Sequence, residues 1–93
     1  MSANKVSKTV TVINKLGIHA RPSAVFAKTA NKFKSDVFVE KDGERINGKS
    51  IMGLMMLAAG PGSRLRVEIS GEDASAALTA IEELVTVRKF DEE

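Results

Sequence analysis

Seven short segments of regular hydrophobic spacing follow one another along the 93-residue chain, separated by glycine, proline and polar breaks. Four are typical of short strands, and three repeat apolar residues at helical spacing. Their order is strand, helix, strand, strand, helix, strand, helix. So many elements in so short a chain favour a two-layer α+β domain, in which three helices cover one face of a four-stranded, mostly antiparallel sheet. We expect a single domain over residues 1–93.

Local signals indicate where these segments begin and end. Asp42-Gly43 predicts a hairpin turn between the second and third strands. Pro22 falls in the first turn of the first helix, Ser50 takes the N-cap position before the second, and Asp73 is a candidate cap for the third. The predicted strands are 6–13 (with residues 6, 8, 10 and 12 on one face), 36–41, 44–47 and 63–70; the predicted helices begin near 20, 51 and 74, and 91–93 are expected to fray.

Composition excludes several kinds of site. The chain has no cysteine, which excludes disulfides, thiolate metal sites and cysteine nucleophiles, and its one histidine cannot build the usual zinc site within one chain. No apolar run approaches the roughly 18 residues that a membrane span needs, and no signal-type segment opens the sequence. We therefore expect a cytoplasmic protein with no metal, no cofactor and no membrane insertion.

Charge is divided unevenly along the sequence. Seven lysines and arginines precede the first acid, Asp36, whereas the rest of the chain holds seven cations and twelve acids. One part of the molecule should attract phosphate, an acidic protein or nucleic acid, unless these lysines simply face water. With four phenylalanines and neither tryptophan nor tyrosine, the chain lacks the aromatic faces of a base-stacking platform. A small basic nucleic-acid-binding domain is therefore the weaker alternative.

The segment that begins at the predicted Asp42-Gly43 turn contains a nucleotide-binding pattern. Residues Gly43 to Ser50 match the phosphate-binding loop pattern G-x-x-x-x-G-K-[ST] between a strand and a helix. A nucleotide-hydrolysing fold of that kind needs a parallel sheet with crossover helices, for which the chain has little room. No later strand ends in the aspartate that would hold magnesium. We therefore set nucleotide binding aside.

The stretch Gly17-Ile18-His19-Ala20-Arg21-Pro22-Ser23 carries the chemistry. It places the only histidine just before a helix start and Arg21 in the first turn. Free N–H groups and the macrodipole favour anions at a helix N-terminus, and a neutral imidazole is a competent nucleophile toward phosphorus. Arg21 could add charge-assisted hydrogen bonds to a phosphoryl group. The alternative is that His19 is an exposed capping residue and Arg21 a solvated side chain.

Residues 17–22 resemble the active-site signature of the HPr phosphocarrier proteins of the bacterial phosphoenolpyruvate-dependent phosphotransferase system, and residues 49–55 resemble that family's regulatory-serine segment. The resemblance extends over about residues 5–87 and implies an open-faced β-sandwich. It implies that His19 accepts a phosphoryl group through Nδ1 from phosphorylated Enzyme I and passes it to an Enzyme IIA domain. Arg21 would steady the group. The chain would be a carrier that is consumed and regenerated, rather than an enzyme in the strict sense.

The resemblance leaves the branch of the system open. Asn14-Lys15-Leu16-Gly17 and residues 90–93 are more similar to the nitrogen-branch relative often called NPr. Ser50 followed by Ile51-Met52 is more similar to the regulated HPr type, in which Ser50 would be the target of an HPr kinase/phosphorylase. A regulatory protein that works through Ser50 with His19 silent is a further alternative.

The second predicted helix also suggests a docking surface. Ile51, Met52 and Met55, together with Leu54, are too many apolar residues for the one inward face of so short a helix, so some should be exposed. Arg21 and Lys28 would supply a cationic rim around them, suited to partners with an apolar centre and acidic edge. A phosphate on Ser50 would oppose such partners. We expect the protein to be a monomer.

Overall fold

The computed structural model describes residues 4–91, which form four strands and three helices in the predicted order. The helices and strands are β1 (Lys5–Thr11), α1 (Ala20–Ala30), β2 (Asp36–Lys41), β3 (Glu44–Asn47), α2 (Ile51–Met56), β4 (Arg64–Ser70) and α3 (Ala74–Thr86), with a 3₁₀ turn at Lys89–Asp91.

The sheet has the strand order β1-β4-β2-β3, and each neighbouring pair is antiparallel. Asp42 and Gly43 both have positive φ, at 52° and 83°, as a type I′ turn between β2 and β3 requires. The predicted hairpin is therefore confirmed. Residues 44–47 of the phosphate-binding loop pattern form strand β3 of this antiparallel hairpin rather than a loop. The Lys49 Nζ donates to the Phe33 carbonyl at 2.9 Å.

One face of the sheet forms the core together with the helices. Alternate residues of β2 and β4, together with Val10 of β1, point to that face and are buried. The residues between them are exposed or half-buried. Because side chains alternate with a period of two, one face of the sheet packs against the helices and the other face is not covered by them. The buried strand residues include Val10, Val37, Val39, Leu65, Val67 and Ile69, and the helical ones include Phe26, Leu54, Ala77, Ile81 and Leu84.

The open face of the sheet is held by a charge network rather than by apolar packing. Glu68 lies near the Lys5, Arg45 and Arg66 side chains, with N···O distances of 3.5, 2.7 and 3.9 Å. The Arg45 guanidinium also lies 4.3 Å from the centroid of the Phe38 ring. The hydrogen bond from Arg45 and the surrounding positive charge lower the pKa of Glu68. The charges around Glu68 on this face are therefore paired with one another.

The prediction for the first strand was wrong at its end, because β1 ends at Thr11 rather than Ile13. Lys8 shares a face with Val10 but is exposed. Since β1 is an edge strand, the long lysine side chain reaches past the core and pairs with Glu82 of α3.

The predicted cap of α3 was also wrong. Asp73 stands at the N-cap position, but its carboxylate makes no hydrogen bond to its own helix. It accepts instead from the backbone N–H groups of Lys34 and Ser35, at 2.8 and 2.9 Å, and from the Ser35 hydroxyl. These three donors belong to the connection between α1 and β2, so Asp73 fastens that connection to the start of α3.

After α3 the chain turns back onto the helical layer. Phe90 lies in the 3₁₀ turn with positive φ and is only 2% exposed. The sequence predicted fraying over residues 91–93. Asp91 belongs to the 3₁₀ turn, and residues 92 and 93 lie outside the described residues.

Candidate functional site

The turn before α1 positions the only histidine. The buried Asn14 donates from Nδ2 to the Gly17 carbonyl at 2.7 Å, and the Ile18 N–H donates to the Ala59 carbonyl at 2.7 Å. Gly17 has φ of 67°, and a Cβ at this position would lie 2.5 Å from the Ala59 oxygen. A side chain is therefore excluded at residue 17 by both conformation and space. The close approach of this turn to Ala59 fixes where the next residues begin α1.

His19 is the N-cap residue of α1. It has extended backbone angles, its carbonyl accepts from the Ser23 N–H at 2.9 Å, and its side chain makes no capping hydrogen bond. The residue is exposed. An exposed imidazole that does not cap the helix is available to a partner from solvent.

The first turn of α1 presents positive charge next to this imidazole. The first N–H groups of a helix have no intrahelical acceptor; Pro22 has none to offer and Ser23 donates to His19, so Ala20 and Arg21 carry the remaining donors. This turn contains no acidic residue. Arg21 is exposed and takes part in none of the ion pairs found within residues 4–91. The arrangement suits an anion on the histidine.

Two hydrogen bonds show that α1 and α2 run side by side in opposite directions. Ile18, just before α1, bonds to Ala59, just after α2. At the other end, Asn31 after α1 donates from Nδ2 to the carbonyl of Lys49 before α2, at 3.2 Å. His19 therefore lies at one end of the helix pair. Ser50 lies at the other, separated by at least the length of α2, about 9 Å at 1.5 Å per residue.

Ser50 is the N-cap of α2, which confirms its predicted structural role. Its backbone is extended, and its Oγ accepts from the Gly53 N–H at 3.0 Å. The side chain is half-buried. Its hydroxyl therefore serves the helix and remains close to the surface.

The outer face of α2 is apolar and exposed, as expected from its composition. Ile51, Met52 and Met55 are 44%, 74% and 45% exposed, whereas Leu54 is fully buried and anchors the helix. We use the name α2 patch for Ile51, Met52, Met55 and Met56. Met56 is 65% exposed and was missed by the sequence analysis. The hydrophobic pattern alone does not show which side of a two-turn helix faces solvent at its last residue.

The sequence analysis also did not predict that Leu16 would be exposed. This residue is 69% exposed in the turn that leads to His19. The turn contacts Ala59, just beyond the end of α2. A further exposed apolar side chain therefore lies in the turn that precedes the histidine.

The predicted cationic rim lies along α1. Arg21 and Lys28 are seven residues apart, which places them on one helix face about two turns apart. Both are exposed, as is Ala24 between them. Asn31, on the same face, reaches Lys49 at the start of α2. The exposed face of α1 therefore runs from the His19 end to the Ser50 end, beside the α2 patch.

Other kinds of site find little support in the described part of the chain. Residues 4–91 contain no cluster of three or more His, Cys, Asp or Glu side chains that could hold a metal ion. None of the helices found there has the length and apolar character needed to cross a bilayer. Phe26 and Phe90 are buried, and Phe33 and Phe38 are half-buried, so the phenylalanines do not form a stacking platform.

Comparison with known proteins agrees with this fold. The family described as "PTS HPr component phosphorylation site" matches residues 6–86. The chain therefore belongs to the HPr family of phosphocarrier proteins of the phosphotransferase system.

Particular relatives show how far the similarity extends. The phosphocarrier protein HPr of Treponema pallidum is 49% identical over 88 residues, covering 95% of this chain and 99% of the relative. The crystal structure of HPr from Thermoanaerobacter tengcongensis matches with a TM-score of 0.89 and 42% identity, over 95% of this chain and 98% of that one. The fold predicted from the sequence is thereby confirmed.

A third solved structure bears on assembly. The crystal structure of Crh, a catabolite repression protein of Bacillus subtilis, is described as a dimer with a swapped domain. It matches with a TM-score of 0.70 and 48% identity, covering 86% of this chain and 92% of that one. The monomer expected from the sequence stays a prediction.

Proposed function

We propose that this protein accepts a phosphoryl group on His19 from phosphorylated Enzyme I and passes it to an Enzyme IIA domain. The observation that carries the proposal is the exposed imidazole of His19, which stands at the N-terminus of α1 and is not used as a cap. The family model that spans this residue is itself described as a phosphorylation site.

The surroundings of His19 suit a group that must be held briefly and released. A lone pair of the ring, on Nδ1 by family resemblance, attacks phosphorus as the bond to the donor breaks. The Arg21 guanidinium and the free N–H groups of the first turn then face the new negative charge. The helix terminus contributes only about 0.3–2 kcal/mol, so the phosphoryl group is stabilised modestly and can be transferred onward.

The α2 patch and the exposed face of α1 supply the docking surface in this proposal. Apolar side chains at the centre and the Arg21 and Lys28 charges at the edge are complementary to partners with an apolar centre and acidic rim. Enzyme I and Enzyme IIA would use the surface in turn, and flexible methionines suit a surface that meets more than one partner. We place the protein in the cytoplasm with these partners.

Phosphorylation of Ser50 by an HPr kinase/phosphorylase is proposed as the regulation of this surface. A phosphoserine adds about −2 charge, and at a helix N-terminus it is compatible with the helix. Because Ser50 and His19 lie at opposite ends of α2, the phosphate would act by opposing acidic partners rather than by contact with the histidine.

The main experiment incubates the protein with Enzyme I and phosphoenolpyruvate and measures its intact mass. We expect the gain of one phosphoryl group, mapped to His19 and labile to acid but stable to base. Reactions without Enzyme I or without phosphoenolpyruvate are the controls and should leave the mass unchanged. An unchanged mass in the complete reaction would overturn the carrier proposal. Modification only at Ser50 would favour the regulatory alternative, in which His19 is silent.

The regulatory proposal has its own test. Ser50→Asp, which introduces a negative charge, should slow phosphoryl transfer from Enzyme I by raising the half-saturating concentration. Ser50→Ala removes the hydroxyl without adding charge and is the matched control. Equal transfer kinetics in Ser50→Asp and Ser50→Ala would contradict regulation by charge.

A separate experiment decides between an HPr and an NPr role. It measures phosphoryl transfer from this protein to sugar-branch and to nitrogen-branch Enzyme IIA proteins.

A further inference from the structure

Three methionines share the exposed face of α2. Met52 precedes Met55 by three residues and Met56 by four, so its side chain is a neighbour of both on the helix surface. They are 74%, 45% and 65% exposed. The sequence contains four methionines, and the remaining one, Met1, lies outside the described residues. The thioethers of the described chain are thus concentrated on the surface proposed to meet Enzyme I.

These thioethers are also the readily oxidised groups of the chain. The sequence has no cysteine, tryptophan or tyrosine. A peroxide therefore finds no thiol to react with first, and solvent reaches the methionine side chains directly. Exposure predicts the order of reaction, with Met52 first and Met55 last.

We propose that the α2 patch is an oxidation-sensitive docking surface, in which conversion of Met52, Met55 and Met56 to sulfoxides by hydrogen peroxide weakens binding to Enzyme I. In each reaction the sulfur is oxidised by two electrons and gains one oxygen atom. The O–O bond of the peroxide breaks, and its other oxygen leaves as water. The inference rests on the proposed carrier function.

Sulfoxides would act on binding rather than on the histidine chemistry. Each one places a strong hydrogen-bond acceptor where an apolar side chain would otherwise be buried against the partner, and that acceptor must lose its water. The His19 imidazole and Arg21 retain their positions at the start of α1. We therefore expect the half-saturating concentration of Enzyme I to rise, with little change in the maximal rate.

The modification is chemically reversible. Methionine sulfoxide reductases remove the added oxygen at the expense of thiols, with one enzyme for each sulfoxide epimer. Treatment with both enzymes should therefore restore binding, which irreversible damage elsewhere in the chain would not allow.

The test oxidises the protein with limiting hydrogen peroxide, locates sulfoxides by peptide mass analysis, and measures Enzyme I binding by titration together with phosphoryl transfer. We expect sulfoxides on the α2 methionines, at least about tenfold weaker binding, and an unchanged thermal unfolding midpoint. The matched control is the triple variant Met52→Leu, Met55→Leu, Met56→Leu, which stays apolar and helix-forming and should be insensitive to peroxide. The single variant Met52→Leu should be partly protected.

Several results would overturn the inference. They are unchanged binding in the oxidised protein, an equal loss in the triple variant (which retains Met1 and His19), sulfoxide on Met1 alone, or a lowered unfolding midpoint that accounts for the loss. The untreated protein separates this inference from the carrier proposal. If it binds Enzyme I but accepts no phosphoryl group, the carrier proposal fails, and the binding titration still decides the effect of oxidation.

Discussion

The N-cap side chains of α1 and α3 have different surroundings, although neither makes a capping hydrogen bond to its own helix. At α3, the Asp73 carboxylate accepts three hydrogen bonds from the connection between α1 and β2. At α1, the His19 side chain accepts no capping bond, and the turn around it contains no acid. The N-cap side chain of α3 is thus bonded within the protein, while the N-cap side chain of α1 is exposed to solvent.

The difference separates stability from function within one small molecule. Hydrogen bonds from Ser35 and then from the Lys34 backbone lower the pKa of Asp73 from 3.8 to about 2. That is a stabilising interaction of the folded state. The exposed His19 makes no comparable contact. Changes at α1 should therefore alter phosphoryl transfer without altering stability, and changes at α3 should do the reverse.

The largest effect is expected from His19→Ala. Loss of the ring nitrogen should abolish phosphoryl acceptance in the Enzyme I reaction. The free energy of unfolding should change by no more than is typical of surface substitutions, about ±0.5 kcal/mol. Intact mass and circular dichroism measure the two outcomes. A large loss of thermal stability would show that the histidine is structural and would break the comparison.

Arg21→Ala should have the next largest effect. Charge-assisted hydrogen bonds are worth about 1.5–3 kcal/mol, so transfer should slow by about tenfold to hundredfold without being abolished. Rapid-quench kinetics with Enzyme I give the rate. Arg64→Ala, which removes the same charge from the exposed end of β4, is the control and should transfer normally. Equal rates in both variants would remove Arg21 from the site.

Ser35→Ala should affect only stability. It removes the hydroxyl that donates to Asp73, which should cost about 1 kcal/mol and lower the unfolding midpoint by roughly 4–8 °C. Ser75→Ala, the same substitution at an exposed position of α3, should leave the midpoint nearly unchanged. Phosphoryl acceptance should be normal in both. Slowed transfer in Ser35→Ala would mean that the two helix termini are coupled.

The smallest effect concerns pH. Because the pKa of Asp73 is lower in the folded state than its ordinary 3.8, its stabilising effect is fully present above that value and is lost as pH falls toward about 2. In this interval the unfolded chain takes up a proton that the folded chain does not. Urea unfolding across the interval should show a shallower decline in Asp73→Asn than in the natural protein. A slope remains in that variant, since the pKa of Glu68 is also lowered. Identical slopes would contradict the assignment.

Local patterns in the sequence predicted most of the fold. The alternation of Leu65, Val67 and Ile69, the Asp42-Gly43 turn and the Ser50 cap depend on neighbouring residues, and the structure confirms each of them. The hydrophobic excess of α2 likewise predicted an exposed apolar face. The roles of His19, Arg21, Ser50 and the docking residues in phosphoryl transfer remain proposals.

Only the tertiary structure decided the features that join distant segments. Ser35 and Asp73 are 38 residues apart, and no local pattern shows that one would bond to the other rather than to its own helix. The antiparallel placement of α1 and α2, which puts His19 and Ser50 at opposite ends of one surface, was equally invisible. Sequence determines which faces and termini a short segment prefers, because those preferences arise within a few residues. Which partner satisfies each terminus depends on contacts that exist only once the chain has packed.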